Sequence, residues 1–344
     1  MECLFFINPR AGSGSGEQLA MEIESFPFPV AVSKQVVFTD PARLSAQVHS
    51  CATRKDLVII CGGDGTINKI VSLLVHFPRP PVVAFIPLGT GNDLARSTGW
   101  LNSWKRLGLH GLYHAISRSE TGTLDTWKLV LHEPGGQVEQ VFVSYAGFGC
   151  DGRICRNFSS LEHLSSRLPA PSSIKKIFYV LPGFKVMFQE MTARKYFLTD
   201  DRYPYPAMAN DNAFSQILFL NAPSYAGGVV QAENVNFSDG KLDVMAFKSC
   251  LAYFLYMLCG RIRKFRPGLS VRDHYRFKVL LDAYYQVDGE AMGRAPTGST
   301  VVIGHERVLP YLKPLADDMC RNLLASWKRK SNRAPEGAVN PAIT

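Results

Sequence analysis

Residues 56–71 read DLVIICGGDGTINKIV and set one aspartate, Asp64, among three glycines directly after a run of aliphatic residues. Leu57-Val58-Ile59-Ile60 is short, continuous and rich in β-branched side chains, the pattern of a strand covered on both faces, as in a parallel sheet. Thr66 to Val71 follow as the first turns of a helix whose apolar side is Ile67, Ile70, Val71 and Leu74. Gly62, Gly63 and Gly65 therefore fall at the carboxyl end of a strand, where open α/β sheets bind ligands. Lacking Cβ atoms, they let main-chain N–H groups approach an anion closely, which suits phosphate. A bare strand-to-helix turn is the alternative, but two glycines and a capping Asp would suffice for that.

Two further stretches share this pattern. Leu4-Phe5-Phe6-Ile7 leads into NPRAGSGSG, residues 8–16, and Val82-Val83-Ala84-Phe85-Ile86 leads into PLGTGNDLAR, residues 87–96. Three such loops on one sheet edge would hold a nucleotide by main-chain donors and small hydroxyls. No G-x-x-x-x-G-K-[ST] occurs, which excludes a P-loop NTPase. Gly12, Gly14 and Gly16 are followed by Glu17 where a dinucleotide fingerprint needs a small residue. Gly147, Gly149 and Gly152 do spell G-x-G-x-x-G, but Arg153 and Arg156 follow in place of an apolar helix, so that match is read as accidental.

In this order and at these separations, NPRAGSGSG, CGGDGTIN, PLGTGNDLAR, FSDGKLDV and QVDGE resemble the diacylglycerol kinase catalytic family, which also includes sphingosine, ceramide and bacterial lipid kinases. The resemblance runs from about residue 3 to 305, and PLGTGNDLARSTGW is closest to the diacylglycerol kinase form. It implies transfer of the ATP γ-phosphoryl group to a lipid hydroxyl in an interdomain cleft. Diacylglycerol is the first choice of acceptor, with ceramide or a sphingoid base as the alternative. An NAD kinase or a non-catalytic lipid-binding module ranks below these.

Composition and patterning are consistent with two domains. With 344 residues, 46% hydrophobic and 19% charged, the chain is long enough for two cores. The expected architecture is a three-layer, Rossmann-like α/β domain over residues 1–123, of the NAD kinase and diacylglycerol kinase-like type. A mainly antiparallel β-sandwich follows over 124–310, where short strands such as LDTWKLVLHE, SQILFLNAP and YYQVDGE alternate with turn residues. Residues 153–195 suggest helices, 311–330 a C-terminal helix packing back on the first domain, and 331–344 a disordered tail. A formal net charge of +9, without a basic-aromatic nucleic-acid motif, favours ATP and an anionic membrane surface over nucleic acid.

CLAYFLYMLCGRIRKFRPG, residues 250–268, is too short an apolar run for a bilayer span, which needs about twenty residues. A core-packed helix is the preferred reading, with Arg261, Arg263, Lys264 and Arg266 at its end to meet lipid phosphates. MECLFFINPR lacks the basic start of a signal peptide, and the eight cysteines are scattered as free thiols would be. Both features suggest a cytoplasmic protein; peripheral association with membranes follows from the lipid substrate that the resemblance implies, and a homodimer is left open.

Phosphoryl transfer is mainly positioning and charge neutralisation. The main chain of Gly62, Gly63, Asp64, Gly65 and Thr66, and of Gly89, Thr90, Gly91 and Asn92, is expected at the triphosphate, with Asn8, Arg10 and Asn68 beside it. By resemblance, Thr39 is a nucleotide contact. Asp288 of QVDGE is expected to take the hydroxyl proton, while Asp64 orients Mg²⁺ and Glu290 helps hold it; bacterial relatives resemble this arrangement, whereas sphingosine kinases suggest Asp64 as the base. The same resemblance gives a structural Mg²⁺ held by Asp239 and the carbonyls of Asn236 and Lys241, although Asp239-Gly240 is also a hairpin signal. It also assigns Asp93, Asp151 and Arg167 to the lipid or β-phosphate side.

Overall fold

The computed structural model describes residues 1–165, 196–199, 213–232, 234–259 and 268–331. The first half alternates β1 (Glu2–Ile7), α1 (Ser15–Ser25), β2 (Ser33–Phe38), α2 (Leu44–Ala52), β3 (Leu57–Gly62), α3 (Asp64–Leu74) and β4 (Val82–Pro87). The strands pair in parallel in the order β2-β1-β3-β4. Each residue of β3 is buried, as its continuous apolar run implies, and α3 packs Ile67, Ile70, Val71 and Leu74 into the same core. Three helices follow: α4 (Asp93–Ser97), α5 (Trp100–Leu107) and α6 (Leu109–Arg118). Residues 103–120 suggest one helix, but Gly108, at φ +53°, breaks it between α5 and α6.

The second half begins with β5 (Thr121–Glu133), β6 (Gly136–Phe142), β7 (Tyr145–Gly149), α7 (Cys150–Ser165), β8 (Phe197–Thr199) and β9 (Ala213–Phe214). It continues through β10 (Gln216–Leu220), β11 (Ser224–Tyr225), β12 (Val230–Gln231), β13 (Leu242–Phe247), α8 (Cys250–Cys259) and β14 (Gly268–Arg272). It ends with β15 (His274–Val279), β16 (Ala283–Val287), β17 (Glu290–Ala295), β18 (Thr300–Leu312) and α9 (Asp317–Ser331). An antiparallel sheet, β14-β13-β10-β7-β16-β17, faces the antiparallel part of the larger sheet. Between them lie Trp127, Phe148, Phe197, Phe219, Phe277 and Tyr285, with Phe148 stacked on Tyr285 at 5.2 Å and edge-on to Phe277 at 5.0 Å.

Strand β18 joins the halves. It pairs antiparallel with β15 and β5 and, through Tyr311 opposite Val83, parallel with β4. The parallel sheet thus continues without a break into the antiparallel one, and β5 starts at Thr121, ahead of a boundary at 123. At the end of the chain, α9 lays Cys320 against Leu107 of α5, and Arg106 pairs with Asp317 at 3.2 Å.

One expectation from cysteine usage is corrected. Cys150, at the start of α7, is disulfide-bonded to Cys250, at the start of α8, with Cα atoms 6.1 Å apart. The two are 100 residues apart in sequence, which no local spacing could reveal. Cys3, Cys51, Cys61, Cys155 and Cys320 take no part in a disulfide. No described helix is long and apolar enough to cross a membrane. In α8, Tyr253 and Tyr256 are buried while Leu251 is exposed; Arg261, Arg263, Lys264 and Arg266 lie outside the described residues.

Candidate active site

Parallel pairing of β2, β1, β3 and β4 puts all four carboxyl ends on one edge, so the loops that follow them meet there. Asn8, just after β1, donates from Nδ2 to Thr66 Oγ1 at 2.9 Å, and its Oδ1 accepts the Arg10 N–H at 3.0 Å. Thr39 follows β2, tied by its N–H to the Ile7 carbonyl at 2.8 Å. The loops after β3 and β4 touch main chain to main chain: a methyl group on Gly89 would lie 2.6 Å from the Gly63 Cα. This close approach explains the glycines. Asn92, held at φ +53°, closes the second loop by accepting the Gly89 N–H at 3.0 Å and donating to the Gly89 carbonyl at 2.6 Å. Thr90 and Arg10 are exposed at the rim.

Asp64 opens α3 and turns its side chain toward the start of α4. Burial, reinforced by the charge of Asp93, pushes its carboxyl up to about 7, against the main-chain amides of Leu94, Asn92 and Asp93 that favour the ionised form. Its Oδ1 is buried without a hydrogen-bond partner. An orphaned carboxylate oxygen at the floor of a glycine cradle calls for a ligand group.

The second half delivers its carboxylates through a tight hairpin between β16 and β17. Asp288 and Gly289 both take left-handed φ, +50° and +83°, the geometry of a two-residue type I′ turn. The Asp288 carboxylate accepts the N–H groups of Val143 at 3.0 Å, Ser144 at 2.7 Å and Tyr145 at 2.9 Å. Burial pushes this carboxyl too up to about 7, with the three amides opposing. Glu290 reaches across to the first half, pairing with Lys69 at 3.0 Å and lying so close to Gly65 that a side chain there would have to displace its carboxylate. Asn68 Nδ2 sits 3.5 Å from the Asp288 carbonyl. Asp64, Glu290 and the Asp288 turn therefore converge on one cleft.

Other expected site residues sit elsewhere or are already occupied. Asp93 is buried, and its carboxylate accepts from Tyr145 Oη at 3.2 Å, Ser224 Oγ at 2.6 Å, Gly227 N at 2.8 Å and Gly228 N at 2.9 Å. That saturation makes it a clasp between the halves, not an open contact for a lipid. Asp151, also buried, accepts from Tyr225 Oη, from Tyr253 Oη at 3.2 Å and from Gln286 Nε2 at 2.7 Å, and burial raises its carboxyl. It faces the core of the second half, which argues against a head-group contact. Arg167 lies outside the described residues. Gly147 and Gly152 belong to packing, since a side chain on Gly147 would strike Asp151 and one on Gly152 would meet the Tyr285 backbone.

Asn236, Asp239 and Lys241 are exposed in the turn before β13, where Asp239 Oδ1 accepts the Lys241 N–H at 3.0 Å and Asn236 Oδ1 the Ser238 N–H at 3.1 Å. Leu242–Phe247 pairs with β10 and β14, so the Asp239-Gly240 turn is not a hairpin tip. Among the described residues no three His, Cys, Asp or Glu side chains gather as a metal cluster. Tyr145, Ser224, Arg96 and Gln286 were not singled out from the sequence. Arg96 donates to the carbonyls of Gly91 at 3.1 Å and Gly227 at 3.2 Å, a bridge across the cleft that only the fold reveals.

A parallel sheet edge carrying a glycine cradle, met by the Asp288–Glu290 turn of the antiparallel half, defines an α/β protein with an anion-binding edge. Residues 2–128 match the family model of the diacylglycerol kinase catalytic domain and residues 141–291 that of the diacylglycerol kinase accessory domain. The chain belongs to the diacylglycerol kinase catalytic-domain family. It is 25% identical to "Diacylglycerol kinase 1" of Arabidopsis thaliana, over 92% of this chain and 45% of that protein. To the "Eye-specific diacylglycerol kinase" of Drosophila melanogaster it is 27% identical, over 86% of this chain and 21% of that one. The chain thus spans less than half the length of these curated relatives. Among solved structures, a diacylglycerol kinase from Bacillus anthracis str. Sterne superimposes with a TM-score of 0.62 at 18% identity, covering 91% of this chain and 96% of its own, a likeness of fold.

Proposed function

We propose that the chain is an ATP-dependent lipid kinase that transfers the γ-phosphoryl group to the free hydroxyl of diacylglycerol. The observation that carries this reading is Asp64 Oδ1, buried and unpartnered where the glycine loops meet the Asp288–Glu290 turn. The amides of the loops after β3 and β4 that are not already engaged, as those of Thr66, Gly89 and Asn92 are, bind the phosphates together with the hydroxyls of Thr66 and Thr90. Glu290 fits a hard divalent cation that also takes phosphate oxygens, the usual manner of Mg²⁺. Bound there, Mg²⁺ would neutralise charge on the triphosphate.

Hydrogen bonding weighs against Asp288 as the proton acceptor expected from resemblance. Main-chain donors hold both oxygens of its carboxylate, whereas the amides of Asn92, Asp93 and Leu94 around Asp64 leave its buried Oδ1 without a partner. Asp64 therefore takes the hydroxyl proton, and Asp288 fixes the turn against β7. Asp64→Asn should lower the single-turnover rate by roughly a hundredfold or more at saturating Mg²⁺ with ATP still bound. Because the acceptor stays in the bilayer, catalysis occurs at its surface, and the net charge of +9 supports attraction to anionic lipid.

The deciding assay supplies radiolabelled ATP to diacylglycerol, ceramide, a sphingoid base and a monoacylglycerol in mixed micelles, with NAD as a soluble acceptor. Label in phosphatidic acid supports the proposal; transfer to NAD alone, or to nothing, overturns it. A structural Mg²⁺ at Asp239 is a second proposal, supported by the burial and the neighbouring Asp239 charge that raise the Asp243 carboxyl to about 6. Asp239→Ala should then abolish any rise of melting temperature with Mg²⁺; an unchanged Mg²⁺ response would leave the segment a turn only.

A further inference from the structure

The hairpin that brings Asp288 and Glu290 to the cleft has an inner amide that its own turn cannot satisfy. In a two-residue turn the N–H of the second central residue, here Gly289, has no ladder partner. Gln286 supplies one: its Oε1 accepts the Gly289 N–H at 2.8 Å. Its Nε2 donates to Asp151 Oδ2 at 2.7 Å, and the side chain is fully buried. Asp151 in turn is held by Tyr225 and Tyr253, with the Cys155 thiol beside it on α7. The space for this arrangement comes from Gly147, opposite Gln286 on β7, where a side chain would strike both Asp151 and the Gln286 amide. The ladder between β16 and β17 also shifts register at Tyr285/Gln286, so pairing alone does not fix the turn.

We infer that Gln286 is a positioning residue for phosphoryl transfer, locking the Asp288–Gly289–Glu290 turn in the orientation that Asp151 dictates. This rests on the lipid kinase reading of the cleft. A glutamine suits the task because it donates to an acceptor-only carboxylate with one end and accepts from a main-chain N–H with the other. It reaches no ATP-loop atom, so its loss should act on kcat and leave the KM for ATP near that of the parent protein.

The test is an exchange of donor and acceptor. Gln286→Glu keeps an acceptor for Gly289 but sets two carboxylates face to face, and should lower kcat roughly ten- to a hundredfold, the scale for such supporting hydrogen bonds. Adding Asp151→Asn restores a donor toward the introduced carboxylate at unchanged net charge and should recover most of that loss. Wild-type kcat in Gln286→Glu and Gln286→Ala, or no recovery in the paired variant at matched melting temperature, would overturn the inference. A second readout separates its failure from that of the kinase reading. With ¹⁵N-glycine labelling, the Gly289 amide should exchange faster in Gln286→Ala and regain protection in the paired variant, whether or not any lipid is phosphorylated. Unchanged exchange in Gln286→Ala overturns the inference; absence of transfer by the parent protein to any lipid overturns only the kinase reading.

Discussion

Two aspartates with the same displaced titration are held in opposite ways. Asp64 and Asp288 are both pushed from 3.8 to about 7 by burial and both face three main-chain amides, yet both oxygens of Asp288 accept while Oδ1 of Asp64 has no partner. A carboxyl raised on folding holds its proton more tightly in the folded state, so its ionisation erodes stability as pH rises from about 4 towards 7. Asp64→Asn should therefore stabilise the ligand-free protein above pH 7, by no more than about 4 kcal/mol and with a higher melting temperature, and the gain should vanish towards pH 4. Asp288→Asn should destabilise across the range, by about 1–3 kcal/mol, because its amide would set an N–H against that of Val143. Melting curves of both variants between pH 4 and 8 check the signs, and a destabilised Asp64→Asn at pH 8 would show that its oxygen has a partner after all. Of these two, only Asp64 showed its character in the sequence, through flanking glycines that a plain turn does not need. The four donors that saturate Asp93 lie between 52 and 135 residues away from it, and no spacing rule reaches them.

At the level of elements, legibility follows how local the cause is. The parallel strands and the loops after them could be located because a strand buried on both faces is a continuous apolar run and a close main-chain approach demands glycine. Strand β17 was not anticipated: EAMGRA is barely apolar, and it exists because β16 pairs with it across the Asp288 turn. The Cys150–Cys250 bond was equally hidden, since it depends on α7 and α8 starting side by side. Its link runs parallel to the Tyr253–Asp151 hydrogen bond three residues along α8, so the two together pin that helix to the second half. A cross-link closing so long a loop contributes on the order of 2–5 kcal/mol in small domains. Reductant should lower the melting temperature of the parent protein, while Cys250→Ala should melt at the reduced value with or without it. A parent protein indifferent to reductant, with two additional titratable thiols, would show that the bond does not form in solution.

For the whole molecule, the question is what couples the halves around the cleft. Two devices compete: the continuous sheet carried by β18, and the clasp in which Asp93 of the first half accepts from Tyr145, Ser224, Gly227 and Gly228 of the second. The clasp is small but buried, so removing its acceptor leaves donors unsatisfied at about 1–3 kcal/mol each. The strand meets the first half where Tyr311 pairs opposite Val83 of β4, and its buried side chains feed both cores, Leu309 and Leu312 one and Val301 and Ile303 the other. Breaking that sheet would expose far more than four polar groups. Asp93→Ala should therefore lower the melting temperature while leaving one transition, coincident by tryptophan fluorescence and near-ultraviolet circular dichroism. Activity should fall further than stability, because Tyr145 donates its N–H to Asp288 and its hydroxyl to Asp93, so a loosened clasp shifts the turn that carries Glu290. Two separate transitions in Asp93→Ala would reverse the ranking and make a single carboxylate, rather than β18, the element that holds the cleft together.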